Sequence, residues 1–123
     1  MFRGKWIFSP SRVKFETTTL HMKLSEFKSS LTGEHPPRPM TPLLQALWYD
    51  HKGNWQRAHE IAQEIHSPKG SWIHAYLHRK EGDSANAGYW YHMAERPFPT
   101  VGLDQEWEQL VAAFAEKESV IES

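Results

Sequence analysis

The chain has 123 residues, with no Cys, 8 His and 6 Trp, and 14 basic against 15 acidic side chains, which fits one ordinary globular domain. The near-neutral charge excludes an overall positive potential that would attract nucleic acid. No apolar run approaches the ~20 residues of a membrane span. Without Cys, any metal would be held by His and carboxylates, and the reducing cytoplasm is the expected compartment.

Residues 1–40 are predicted to be a poorly ordered amino-terminal segment. Several Pro residues interrupt it, and its aromatic residues keep neither a helical nor a strand period. Met22 opens a stretch that is typical of a translation start, so residues 1–21 are either part of this segment or an upstream translation. Ser25 to Leu31 has the composition of one short helix.

From residue 41 to residue 123 we predict a single all-α domain of about five helices. Helix starts are marked by capping residues and helix ends by Gly or Pro. The predicted starts are the caps Thr41, Asn54, Ser71, Asp83 and Asp104. The predicted ends are Gly53, the pair Ser67 and Pro68, Gly82, and the pair Arg96 and Pro97. In the last helix an acidic outer face is expected, formed by Glu106, Glu108, Glu116, Glu118 and Glu122.

Shifting the chain on itself by 29 residues reveals an internal repeat. The shift superimposes Gly53 on Gly82, Asn54 on Asp83, Ala58 on Ala87, Ile61 on Trp90, and Pro68 on Pro97. Each matched residue has a structural use, since Gly permits a left-handed turn, Asn or Asp caps a helix, Ala allows close packing and Pro blocks extension. The pattern predicts two copies of a helical hairpin, with the last helix as a cap.

This unit resembles the tetratricopeptide class of helical repeats, especially its Sel-type variants, over roughly residues 41–97. The resemblance implies two tetratricopeptide-like hairpins followed by a C-terminal capping helix. Residues 72–91 also resemble a family of small bacterial proteins of uncharacterised activity, and that similarity implies no function.

The preferred functional interpretation is a non-catalytic, cofactor-free module that binds a protein or peptide. Tyr89, Trp90 and Tyr91 project in three directions around one helix, so at least one ring is expected in a groove or on the surface. Aromatic and Arg side chains are frequent anchors in protein interfaces. The predicted binding residues are His78, Arg79, Asn86, Tyr89 and Trp90. Self-association into a homo-oligomer stays open, whereas nucleic-acid and membrane partners are not expected.

The alternative interpretation is a small His-dependent enzyme that holds a divalent transition metal. His74 and His78 are four residues apart, so they share one helical face, which we place on the polar side of that helix. Glu81 is the candidate general base. His59 or His66 would join the pair if the two helices are antiparallel. The simpler explanation is chance spacing among many His residues, with solvated ion pairs around Arg79 and Glu81.

Overall fold

The computed structural model describes residues 22–115, which form six α-helices and no strand. The helices are α1 (Leu24–Ser30), α2 (Pro42–His51), α3 (Trp55–Gln63), α4 (Pro68–Lys80), α5 (Ser84–Met93) and α6 (Leu103–Phe114). The all-α class is confirmed, with six helices rather than about five because α1 is an additional packed helix. Within the described range, no helix has the length and apolar character needed to cross a membrane. The expectations for residues 1–21 and for Glu116, Glu118 and Glu122 lie outside the described residues.

The turns that follow α2 and α4 are built in the same way. Gly53 and Gly82 have φ values of 87° and 90°, a left-handed conformation that Gly adopts at little cost. The next residue then caps a helix: Asn54 accepts from the backbone N–H of the third helical residue of α3, and Asp83 does the same for α5. These turn and cap predictions are confirmed, while the assignment to a particular repeat class stays a prediction.

The start of α4 differs from the prediction. Pro68 is the first residue of α4 instead of a stop signal, because the first helical position needs no backbone N–H. Ser67 is the cap, and its hydroxyl accepts from the backbone N–H of Gly70. A Cβ at Gly70 would lie 2.2 Å from the carbonyl oxygen of Ile65. The end of α3 and the start of α4 therefore approach each other so closely that no residue larger than Gly fits at position 70.

Part of the segment predicted to be poorly ordered belongs to the packed domain. Phe27 of α1 is fully buried, and its ring centroid lies 6.0 Å from that of Trp107 in α6. Trp48 of α2 donates its indole N–H to Ser30. Met40 is buried as well. The structured domain thus includes residues 22–40, since the sparse apolar residues of α1 have a partner in α6 that local periodicity does not reveal.

Helix α4 lies at the centre of the domain. It packs against α3 and α5 and also contacts α2 and α6. As a result, every residue from Trp72 to His78 is buried. The expectation that His74 and His78 lie on a polar, solvated side of this helix is therefore wrong, because neighbouring helices cover that side too.

Helix α6 closes the domain with a buried carboxylate. Glu106 is 1% exposed and accepts hydrogen bonds from the Trp72 indole, the Tyr91 hydroxyl and the Arg79 guanidinium, at 3.2, 2.6 and 2.7 Å. The expected acidic outer face is wrong for this residue, because buried donors on α4 and α5 require an acceptor there. Glu108 does lie outside and pairs with Lys28 of α1.

Candidate metal centre

Three His side chains from two helices converge at the α3–α4 contact. His59 comes from α3, whereas His74 and His78 come from successive turns of α4. Their three potential ligand nitrogens all lie within 4.8 Å of one another, and the Nε2 atoms of His59 and His74 are 3.0 Å apart. We call these three residues the histidine cluster.

Aromatic contacts hold the rings of the histidine cluster in place. The indole of Trp55 stacks on His59, with centroids 4.8 Å apart and an interplanar angle of 14°. The indole of Trp90 stacks on His74 at 4.1 Å and 16°. Trp55 is itself fixed, because its indole N–H donates to the carbonyl of Leu77 in α4. The imidazoles are thus preorganised by α3 on one side and by α5 on the other.

Burial keeps His59 and His74 uncharged near neutral pH. Burial is the main reason that the pKa of His74 falls to about 4, and charge repulsion from the neighbouring His59 and His78 contributes to the same shift. Burial also lowers the pKa of His59, again with help from His78. Neutral imidazole is the form that binds metals. In the absence of a metal, the close pair of Nε2 atoms forms a single N–H···N hydrogen bond.

Glu81 orients the third ring. Its carboxylate lies 2.7 Å from Nδ1 of His78, so Nδ1 carries the donated hydrogen and the Nε2 lone pair is left for another partner. A carboxylate behind a metal-bound His is the common arrangement of protein metal sites, where it fixes the tautomer and increases the basicity of the ligand. Glu81 is therefore a positioning group for His78.

The separation of His59 and His74 suits two ligands of one metal ion. Two nitrogens that are 3.0 Å apart can both lie about 2.1 Å from one ion and subtend roughly 90° at it. A tetrahedral ion needs a separation of about 3.4 Å, a change of only ~0.4 Å. Since His59 is only half-buried while His74 and His78 are 7% and 8% exposed, the cluster reaches solvent on the α3 side.

A cavity of about 400 Å³ adjoins the cluster near the α3–α4 turn. His74 belongs to its wall, and Trp90 covers both this wall and the His74 ring. Its apolar lining consists of Ala62, Ile65, Pro68, Trp90 and Met93, and its polar lining of Gln63, His66, Ser67, Ser71 and His74, with Gly70 between them. We call this space the apolar cavity.

The predicted site residues separate into two groups. Two of the predicted binding residues, His78 and Trp90, contact His74. They therefore lie at the same place as the alternative metal pair, His74 and His78. Tyr89 is 55% exposed, and its ring packs edge-to-face with that of Trp90. His59 joins the cluster as the antiparallel arrangement predicts, whereas His66 lines the apolar cavity instead.

The two remaining predicted residues have structural partners elsewhere. The guanidinium of Arg79 bonds to Glu106 and to the carbonyl of Val101, so it faces α6 instead of the ring of His78. Asn86 bonds to Asp83 through its backbone and side-chain nitrogens, in the first turn of α5. Neither contributes a group to the histidine cluster.

A second cavity lies on the opposite side of α4. It measures about 600 Å³ and is bordered by α2, α4 and α6. Its buried carboxylate, Asp50, already accepts from the Tyr76 hydroxyl at 3.0 Å and from Lys80 at 2.9 Å. Because these partners satisfy Asp50, the volume of this cavity points to no specific chemistry.

Sequence reasoning missed the role of Trp55 and of the apolar cavity. Trp55 and His59 are four residues apart, which is the spacing of side chains that stack along a helix. The sequence shows this spacing, but buried apolar residues of a helix have the same spacing, so it did not identify a site. Comparisons of the chain with protein-family models, with curated proteins and with solved structures found no match.

Proposed function

We propose that this protein binds one divalent transition-metal ion through His59, His74 and His78. The observation that carries the proposal is the convergence of three imidazoles within 4.8 Å, two of them buried, one of them backed by a carboxylate. Imidazole suits Zn, Cu, Fe and Ni. A site with three protein ligands keeps a position for water or another small ligand, as catalytic zinc sites do.

The proposed chemistry follows from this open position. When bound, the ion would act as a Lewis acid and lower the pKa of a water molecule held there. The chain's own residues supply the remaining requirements: Trp55 and Trp90 hold two of the rings, and Glu81 holds the third. Since Glu81 is committed to His78, it positions a ligand and does not act as the general base of the alternative sequence interpretation.

The test is a metal titration of the full chain without a His tag. The protein is stripped with a chelator and then titrated with Zn²⁺ and Co²⁺ by calorimetry and visible absorption. We expect one equivalent to bind, with loss of binding in His59→Gln and His74→Ala. Circular dichroism checks whether each variant is folded. Because His59 is half-buried, its replacement leaves the core intact even if the His74 variant unfolds.

Two further variants sharpen the test. Glu81→Gln should weaken metal binding by about 10- to 100-fold, the usual effect of removing a carboxylate behind a ligating His. His92→Gln is the matched control, since His92 is an exposed His on α5, and it should bind metal like the natural chain. Equal binding in the His59→Gln variant and the natural chain would overturn the proposal, as would no binding by the natural chain.

A second candidate function, binding of a protein or peptide, is supported by the exposed side of α5. Tyr89 and Met93 are 55% and 45% exposed, and they lie one turn apart on that helix. Large exposed apolar side chains in a row are typical of interaction surfaces. Tyr89→Ala should reduce capture of a partner while leaving the melting temperature unchanged. A collapse in stability would show instead that this ring is part of the core.

A further inference from the structure

The apolar cavity and the histidine cluster are successive parts of one groove. On α4, Gly70 and Ser71 line the cavity, His74 follows one turn later, and His78 follows after another turn. On α3, Ala62 and Gln63 of the cavity lie one turn beyond His59. Since α4 packs against α3 and α5, it forms the floor between them. A ligand in the cavity therefore lies next to the metal position.

The cavity selects for an apolar body. Ile65, Trp90 and Met93 are the largest apolar residues that line it, and its volume falls in the range of small-molecule pockets. Among the described residues that line it, none is a carboxylate, Lys or Arg. A charged group in the cavity would therefore lose its hydration without gaining an ion pair.

The metal position selects for an anionic head. Imidazole ligands are neutral, so the ion would keep its double positive charge. Of the two carboxylates grouped with His78, Glu81 is bonded to that ring and Asp83 caps α5. A carboxylate oxygen is a common ligand of such ions. We propose, on the basis of the proposed metal site, that this groove binds a small monocarboxylate, with the carboxylate on the metal and the apolar body in the cavity.

The test compares three probes on the Co²⁺-loaded chain: octanoate, acetate and octylamine. Binding at the open position changes the visible absorption of Co²⁺. Octanoate should bind roughly 10- to 100-fold more tightly than acetate, which corresponds to burial of two to three methylene groups. Octylamine should bind more weakly than octanoate, and octanoate should bind the metal-free chain more weakly than the loaded chain.

A variant pair locates the apolar body. Met93→Glu places a charge in the wall of the cavity and should weaken octanoate binding at least ~10-fold, while the affinities for acetate and Co²⁺ stay within about twofold. His92→Glu introduces the same charge at the adjacent exposed position and should leave all three affinities unchanged.

The outcomes separate this inference from the metal proposal. If Co²⁺ binds but octanoate is no tighter than acetate, or Met93→Glu has no effect, the cavity assignment is wrong and the metal site stands. If octylamine matches octanoate, or the metal plays no part in octanoate binding, the carboxylate assignment is wrong. If the chain takes up no Co²⁺, both proposals fall.

Discussion

The metal-free protein should lose stability as the pH falls from 7 to 5, and His74 should cause much of the loss. Burial holds the pKa of this ring at about 4 in the folded chain, against 6.5 for an unperturbed His. Between these two values the unfolded chain binds a proton that the folded chain does not. Acid therefore favours unfolding, starting near pH 6.5 and reaching its full effect near pH 4.

The size of this effect follows from the two pKa values. Each unit of difference corresponds to about 1.4 kcal/mol, so the complete loss is roughly 3 kcal/mol. From pH 7 to pH 5 the linkage relation gives a loss of about 2 kcal/mol. Such a loss is a large share of the 5–15 kcal/mol that typically stabilises a domain.

Urea unfolding of the chelator-treated protein, followed by Trp fluorescence at pH 7 and pH 5, measures this loss. The companion variant is His74→Phe, which keeps a ring against Trp90 but cannot take up a proton. Its free energy of unfolding should fall by about 2 kcal/mol less than that of the natural chain over the same interval. Equal losses in the two proteins would refute the argument that a buried, uncharged His74 drives the acid sensitivity.

The remaining predictions concern the packing that holds the site. Gly70→Ala should destabilise the domain by about 3 kcal/mol, because its Cβ would lie 2.2 Å from the carbonyl oxygen of Ile65. Gly88→Ala should instead stabilise it by ~0.5–1 kcal/mol, because apart from its chain neighbours and the backbone of its own helix no atom lies within 4 Å of the new Cβ. Thermal and urea melts of both variants check this contrast, and equal effects would contradict it. Glu106→Gln should lower the free energy of unfolding by about 3 kcal/mol at pH 7, since it removes the charge from a buried acceptor with three donors. A free energy of unfolding within ~0.5 kcal/mol of that of the natural chain would show that the charge is dispensable.

Local chemistry made much of the fold predictable. Thr41, Asn54 and Asp83 are side-chain caps in the structure as in the sequence analysis, and Gly53 and Gly82 adopt the expected left-handed turn. These features depend only on residues within one turn of each other. Pro68 shows the limit of such rules, because the same residue type blocks a helix interior and suits a helix start.

The site was only half predictable, because it depends on which helices cover α4. The spacing of His74 and His78 placed both on one face, and the antiparallel hairpin brought His59 to them as expected. The burial of this face was not predictable, since a helix's own periodicity does not show that two further helices pack against its polar side. The inward direction of Glu106 has the same origin: its donors lie 15 to 34 residues away in the chain.

The contact between α6 and the first two helices gives the domain a different unfolding behaviour from that of an open repeat array. Trp107 of α6 donates its indole N–H to the carbonyl of Leu47 in α2, and Lys28 of α1 pairs with Glu108. In an open array each unit touches only its neighbours, so the ends fray and the units melt one after another. Here α1 and α6 are joined, so loss of either exposes buried residues of the other, and we expect the domain to unfold in a single cooperative step.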